Sequence, residues 1–386
     1  MRKKLFCLST AVWAMTSLVA SSALAAEAKD SAAELEVRVP LAPQIVTIGD
    51  APRLIYEFHV ANYGRSDLAL DDLKITDPAG GAVLADYAGP ALDPLIWRPD
   101  AGADARRLPA GGVAVIYMQT PLAKSGAGPT ALAWRLTIAN PDPSKPAKDL
   151  TPVSGQIAVD RGPPLVIGFP FKGGDWVAAN GPSNTSIHRR SLQQVNGTGR
   201  IAQRYAIDWI KLDGEGRPYH GDKAVVGNWT DFGVEVLAVA DGKISASHDG
   251  IPNNVPFNGG AVPITLETVG GNYLILDLGG GRYGFYAHLQ PGTQRVHVGD
   301  VVHKGQVLAL LGNTGNSDAP HLHFHVSDAN SPLGSEGVPY VFEGYQTLGE
   351  AGDEMMGQTG WKPSAGQAPI ARHDSLPAEN EVVRVP

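Results

Sequence analysis

His321-Leu322-His323-Phe324-His325-Val326 alternates imidazoles with large apolar side chains. In a β-strand successive side chains point to opposite faces, so the three histidines share one face while Leu322, Phe324 and Val326 form the other. One face packs a core and the other presents imidazoles. Same-face neighbours lie roughly 6.5 to 7 Å apart along the backbone. That is too far for easy chelation by all three, but it lets one imidazole hold a metal while the next acts as a base beside it. The plain alternative is a polar strand face with chance histidines. Clustering speaks against it, because nine of the eleven histidines fall between residues 188 and 325, roughly a third of the chain.

Working outward, Arg204 to Leu212, Val234 to Ala240, Tyr273 to Leu278 and Tyr283 to Leu289 are strand-like, and Gly279-Gly280-Gly281 is a hairpin turn. His288 closes the strand at 283 to 289, and strict alternation puts it on the face of Tyr286. Asp208 is a carboxylate among Tyr, Ile and Trp and needs a partner; a structural salt bridge is the ordinary outcome. No segment shows a long period of 3.6. Further upstream, Leu54, Tyr56, Phe58 and Val60 alternate with Arg53, Glu57 and His59, and Leu73 to Ile75, Val113 to Met118 and Ala131 to Ile138 are similar short apolar runs. These predict an all-β chain whose N-terminal part, 30–162, is an immunoglobulin-like β-sandwich. Six prolines between Asn140 and Pro164 mark the connection to a second domain at 163–346. Residues 347–386 read as a C-terminal loop, with Glu381 to Val385 returning as a final edge strand.

With 386 residues, two domains are expected. At 43% hydrophobic and 18% charged residues, disorder along the whole length is excluded; Gly 46 and Pro 30 favour short strands and turns. Arg2, Lys3 and Lys4 precede an apolar run to about Ala20, and Ala23-Leu24-Ala25 follows, the layout of a signal peptide at 1–25 cleaved after Ala25. The expected mature protein is exported, periplasmic or extracellular, with no stable membrane insertion. Removing those three basic residues leaves 28 basic against 39 acidic, so the formal charge moves from −8 to −11 and nucleic-acid binding is disfavoured. The only cysteine, Cys7, lies in the removed segment, so disulfides are excluded and a metal site must use His, Asp and Glu. There is no H-E-x-x-H, G-x-S-x-G or G-x-x-x-x-G-K-[ST].

The stretches Tyr-Ala-Ile-Asp (205–208), Val-Ala-Asp-Gly (239–242), Phe-Tyr-Ala-His-Leu (285–289), Val-Gly-Asp-Val-Val-His-Lys-Gly-Gln (298–306) and Gly-Asn-Thr-Gly-Asn-Ser-Asp-Ala-Pro-His-Leu-His-Phe-His-Val (312–326) resemble the lysostaphin/LytM-type zinc endopeptidases, which cut peptide bonds in bacterial peptidoglycan. The resemblance covers roughly 170–345. It implies a duplicated half-barrel with a groove over the sheet, Zn2+ as cofactor, peptidoglycan peptides as substrate, Asp208 and His323 as metal ligands, and His288 and His321 as the catalytic pair. His325, His297 and His303 match no functional position and are read as surface residues.

In one place the sequence departs from that pattern. The family usually has a histidine ligand four residues before the aspartate, and here Arg204 stands there, with no lone pair to offer a metal. The replacement is predicted to be His188, brought back beside the strand by the polar, Gly-containing stretch Gln193 to Gly199; His220 and His248, in apparent turns, are the rivals. The leading reading is an exported zinc endopeptidase acting on cell-wall peptides. A second makes the domain a degenerate relative that grips peptidoglycan or regulates another hydrolase, favoured by Arg204 and opposed by His288, His321, His323 and Asp208. A third takes Val298 to Gln306 as the hairpin of a biotinyl or lipoyl carrier or of a sugar-permease domain; the export signal and the lack of a lysine placed at its tip oppose it.

Overall fold

A computed structural model describes residues 35–100, 104–139, 152–352 and 360–386. The expected signal segment and its cleavage point lie outside the described residues, as do residues 140–151 of the proline-bearing stretch. Among the described residues the regular structure is strand, apart from three single-turn 3-10 helices, and no helix is long and apolar enough to cross a membrane.

The alternation of Leu54, Tyr56, Phe58 and Val60 does build a strand, Ala51–Asn62, which pairs antiparallel with Val113–Pro121 in a five-stranded sheet. A second five-stranded sheet is centred on Leu68–Thr76 and Ala131–Ala139. Apolar side chains from both sheets, among them Phe58, Ile116, Leu73 and Trp134, join one cluster, so the sheets pack face to face. Alternation alone leaves open what covers the other face of the first sheet. In the structure it is covered by the rest of the protein. Val46, Ile48 and Ile55 belong to the core of the C-terminal half, and Val115 and Tyr117 pack against Ile201. Full burial of a Val or Ile side chain contributes about 1.5–3 kcal/mol, which is why Val113–Pro121 carries apolar residues on both faces.

The C-terminal half is organised around a ten-stranded sheet. Its centre runs in the order Asn272–Gly279, Arg282–Leu289, Leu322–Ser327, Ile207–Leu212 and Asp175–Ala179. The first two of these strands are joined at Gly279, Gly280 and Gly281, all with positive φ, which only glycine adopts freely. The remaining strands continue past Asp175–Ala179. Here two expectations are corrected. Residues 347–372 are not only loop: Tyr345–Glu350 and Ile370–Arg372 are paired strands. Glu381–Arg384 is not an edge strand, since it lies between Asp175–Ala179 and Tyr345–Glu350. The reason is its apolar content on both faces, with Val383 in the main core and Val382 in a cluster with Leu348 and Trp361 on the opposite side.

Candidate metal centre

The histidine strand, Leu322–Ser327, turns Leu322, Phe324 and Val326 into the main core, all fully buried. Its other face is fixed by ladder register. His323 lies opposite Asp208 on one side and opposite Ala287 on the other, and Asp208 lies opposite Ala179. Paired residues share a face, so this row of four crosses four strands and carries a carboxylate beside an imidazole.

Asp208 is the hub. Its Oδ1 is 3.0 Å from His323 Nδ1 and 3.3 Å from His321 Nε2, and its Oδ2 is 3.2 Å from His188 Nε2 and accepts a 2.8 Å hydrogen bond from Asn180 Nδ2. Among the described residues, one set of three or more possible ligands converges: His188, Asp208 and His323, all buried, with donor atoms within 4.8 Å of one another. His188 thus stands beside Asp208 although twenty residues separate them, and the Gln193–Val195 and Thr198–Arg200 hairpin lies in the returning segment. The rivals lie elsewhere. His220 Nε2 is 2.7 Å from Asp213 Oδ2, and His248 stacks on Tyr273. Arg204 is only 2% exposed and points away from the centre, to Glu57, Glu336 and the Gly337 carbonyl.

The free valences of these rings are committed in a consistent way. His188 Nδ1 is 3.0 Å from the Asn180 carbonyl, so it donates there and leaves Nε2 as a lone-pair donor toward Asp208. His323 Nε2 is 3.0 Å from His325 Nδ1, so a proton on Nε2 frees Nδ1. His321 Nδ1 is 2.8 Å from the Ala319 carbonyl and His288 Nδ1 is 2.7 Å from the Thr314 carbonyl. This leaves Nε2 of His288 for the groove and turns Nε2 of His321 toward Asp208 Oδ1, with ring centroids 4.7 Å apart.

Two sequence readings are corrected here. His325 is not a surface residue: it is fully buried against His323 and Phe285. The three-on-one-face reading of the strand contained that answer, but only the neighbouring strand shows that the face is covered. His297 and His303 do have exposed side chains. His288 does not share the face of Tyr286, which enters the main core with its hydroxyl accepting the Val239 N–H. It lines the groove with Phe285 and Ala287, because a register shift opposite Asn272–Leu274 and a left-handed φ of 64° at His288 break the alternation. The sequence also missed Asn180, which touches both Asp208 and His188; its left-handed φ of 53° before Gly181 is the kind of signal an Asn-Gly turn gives.

Proton affinities are strongly perturbed. Burial alone would raise Asp208, but His188 and His321 hold it well below the usual carboxylate range. Burial would likewise lower His321, yet the Asp208 carboxylate lifts it to about 9. Burial pushes His323 down to about 4 against the pull of Asp208, and pushes His288 and His325 well below the ordinary histidine value. Several imidazoles around one carboxylate cannot all be protonated, so a cation shared by the group relieves the crowding. The donor set of two imidazole nitrogens and one carboxylate oxygen, with anchored outer ring nitrogens, fits zinc. The centre opens on a groove of about 760 Å³ with apolar walls that include Ile187, Trp229, Phe257 and Leu333.

Residues 229–334 match Peptidase family M23, a span that holds His288, His321 and His323 but begins after His188 and Asp208. The chain is 30% identical over 115 residues to the peptidoglycan DD-endopeptidase ShyB of Vibrio cholerae, covering 29% of this chain and 22% of that protein. It is 35% identical over 99 residues to lysostaphin of Staphylococcus simulans, covering 24% and 19%. The chain thus spans about a fifth of the length of these curated relatives. Among solved structures it is similar to the catalytic domain of lysostaphin from Staphylococcus simulans, at 22% identity over 43% of this chain and 88% of that one, with a TM-score of 0.23. Taken with the motifs quoted from its sequence, residues 229–334 of the chain are a Peptidase M23 domain of the lysostaphin/LytM type.

Proposed function

We propose that the protein is an exported zinc-dependent endopeptidase that hydrolyses peptide bonds in peptidoglycan. The observation that carries this reading is the convergence of His188, Asp208 and His323 within 4.8 Å beside the His288 and His321 rings. His188 Nε2, an Asp208 oxygen and His323 Nδ1 would hold the metal. When bound, zinc supplies Lewis acidity, polarising a carbonyl and making water a nucleophile near neutral pH.

The chain's own groups do the rest. Nδ1 of His288 and of His321 is tied to a backbone carbonyl, so Nε2 of His288 stays free and Nε2 of His321 faces Asp208. One accepts the proton of the attacking water, and the other donates to the charge that develops on the peptide oxygen. Thr314 and Ala319 fix the ring planes, and Ile187, Trp229, Phe257 and Leu333 give the groove apolar surface. The peptidoglycan substrate rests on the names of the relatives, and export on the basic, apolar and small-residue start of the sequence. What speaks against the degenerate reading is His188 beside Asp208, while Arg204 is engaged with Glu57 and Glu336.

The test is zinc content of the purified protein beside release of soluble fragments from peptidoglycan. About one zinc per chain with release that stops on chelation is the expected result. A protein that binds no zinc, or releases nothing when loaded, contradicts the reading.

A further inference from the structure

Where the family pattern has a ligand, this chain has Arg204, and the ligand role falls to a residue on an irregular loop, 181–192. That loop is held from outside its own domain. Arg189, the neighbour of His188, is fully buried. Its Nε donates to Glu57 Oε1 at 3.0 Å, its Nη2 to the carbonyls of Tyr56 and Met118 at 2.9 and 2.7 Å, and its Nη1 to Asn184 Oδ1 at 2.6 Å. Three of these four acceptors belong to the N-terminal sheet. Glu57, 1% exposed, gives its second oxygen to Arg204 Nε at 2.9 Å, and Arg204 continues to Glu336 Oε2 at 2.8 Å and the Gly337 carbonyl at 2.8 Å. The two guanidinium groups are thus held by Glu57 of the first sheet, Glu336, the Asn184 side-chain oxygen and main-chain oxygens. Arg190 completes the attachment, its guanidinium 5.3 Å from the Tyr117 ring centroid and its Nε on the Asn184 carbonyl.

We propose that Glu57 is a positioning residue for the metal centre: acting through Arg189, the N-terminal sheet fixes the loop that carries His188. The sheet is therefore part of the site's frame rather than a spacer. This rests on the zinc reading above and deepens it. The geometry explains why Arg204 replaces a histidine, since a ligand supplied by a loop needs an anchor, and Arg204 supplies half of that anchor by fixing the opposite oxygen of Glu57. A buried carboxylate shared by two forks has one geometry, which suits positioning better than a single flexible pair.

The test uses the full chain carrying Glu57→Gln together with Arg189→Gln, which removes one charge of each sign and leaves Arg204 paired with Glu336. Zinc affinity is read by competition with a chromogenic chelator, and amide hydrogen exchange is followed in 181–192 and in the histidine strand. The expected result is a zinc affinity 10- to 100-fold weaker, as for loss of groups that orient a ligand, with faster exchange confined to 181–192. Arg189→Lys keeps the charge, gives up the fork and serves if the double variant does not fold; it should lose less affinity in the same direction. Affinity within about twofold of wild type, or exchange that rises equally in 322–327, overturns the proposal. A wild-type chain that binds no zinc sinks the metal reading and this one with it, whereas intact wild-type binding with unchanged variants sinks this one alone.

Discussion

Asp208 and His323 reach the proposed metal centre from adjacent strands paired in register, while His188 reaches it from a loop without regular structure. The first pair is placed by the same ladder that builds the sheet, so its geometry costs nothing beyond folding. The third donor has no ladder. Its position depends on side-chain contacts: Asn180 behind the ring, Ser186 on the Asn180 carbonyl, and Arg189 on the first sheet. A site can thus combine strand-borne and loop-borne ligands, but the loop-borne one needs an external brace.

The largest effects should come from the ligands themselves. His188→Ala and His323→Ala are both expected to lose zinc and turnover, because one of three donors goes in each case. They should differ in stability. His188→Ala is expected to melt near the metal-free wild type, whereas His323→Ala also empties a buried position within the sheet and should melt lower. Equal metal retention in either variant, read by zinc analysis after dialysis, breaks the comparison. Next in size are His321→Ala and His288→Ala, which should keep zinc and lose about 10²- to 10⁴-fold in kcat, the range for a positioned acid or base. Zinc loss in these two would move them from the catalytic pair to the ligands.

His325→Phe sharpens the strand-borne side. It removes the acceptor that holds the His323 Nε2 proton, and should weaken zinc binding about 10- to 100-fold with the fold intact; unchanged affinity would show that the ladder alone positions His323. A separate effect, on stability rather than on metal or turnover, concerns Asp231, outside both ligand groups. Burial raises its pKa from 3.8 to about 8. Between those values the folded state keeps a proton that the unfolded chain has lost, so stability falls as pH rises through that window and stays low above it. Asp231→Asn should therefore melt close to wild type near pH 4 and higher than wild type at pH 8 to 9. A melting difference that does not grow with pH contradicts this account of the buried carboxyl.

Local alternation carried most of what the sequence could say. It placed the strands at Ala51–Asn62 and Leu322–Ser327, and the scarcity of donors pointed to His188. It failed wherever a long-range partner decides the outcome. A bulge moved His288 to the groove face, a neighbouring strand covered His325, and the last strand found two partners instead of one. Glu57 is the clearest case. Its place on the polar side of an alternating strand looks like solvent exposure, and nothing local indicates that two arginines more than a hundred residues away will cover it.

The central claim is that His188 takes the ligand place that Arg204 cannot fill. A crystal structure of the zinc-loaded full chain, with the metal located by its anomalous signal, tests it most directly. The account predicts one zinc with His188 Nε2 and His323 Nδ1 at about 2.0–2.1 Å and an Asp208 oxygen at about 2.0–2.2 Å. A zinc held by Asp208 and His323 with His188 out of reach, or with another side chain in its place, would contradict it.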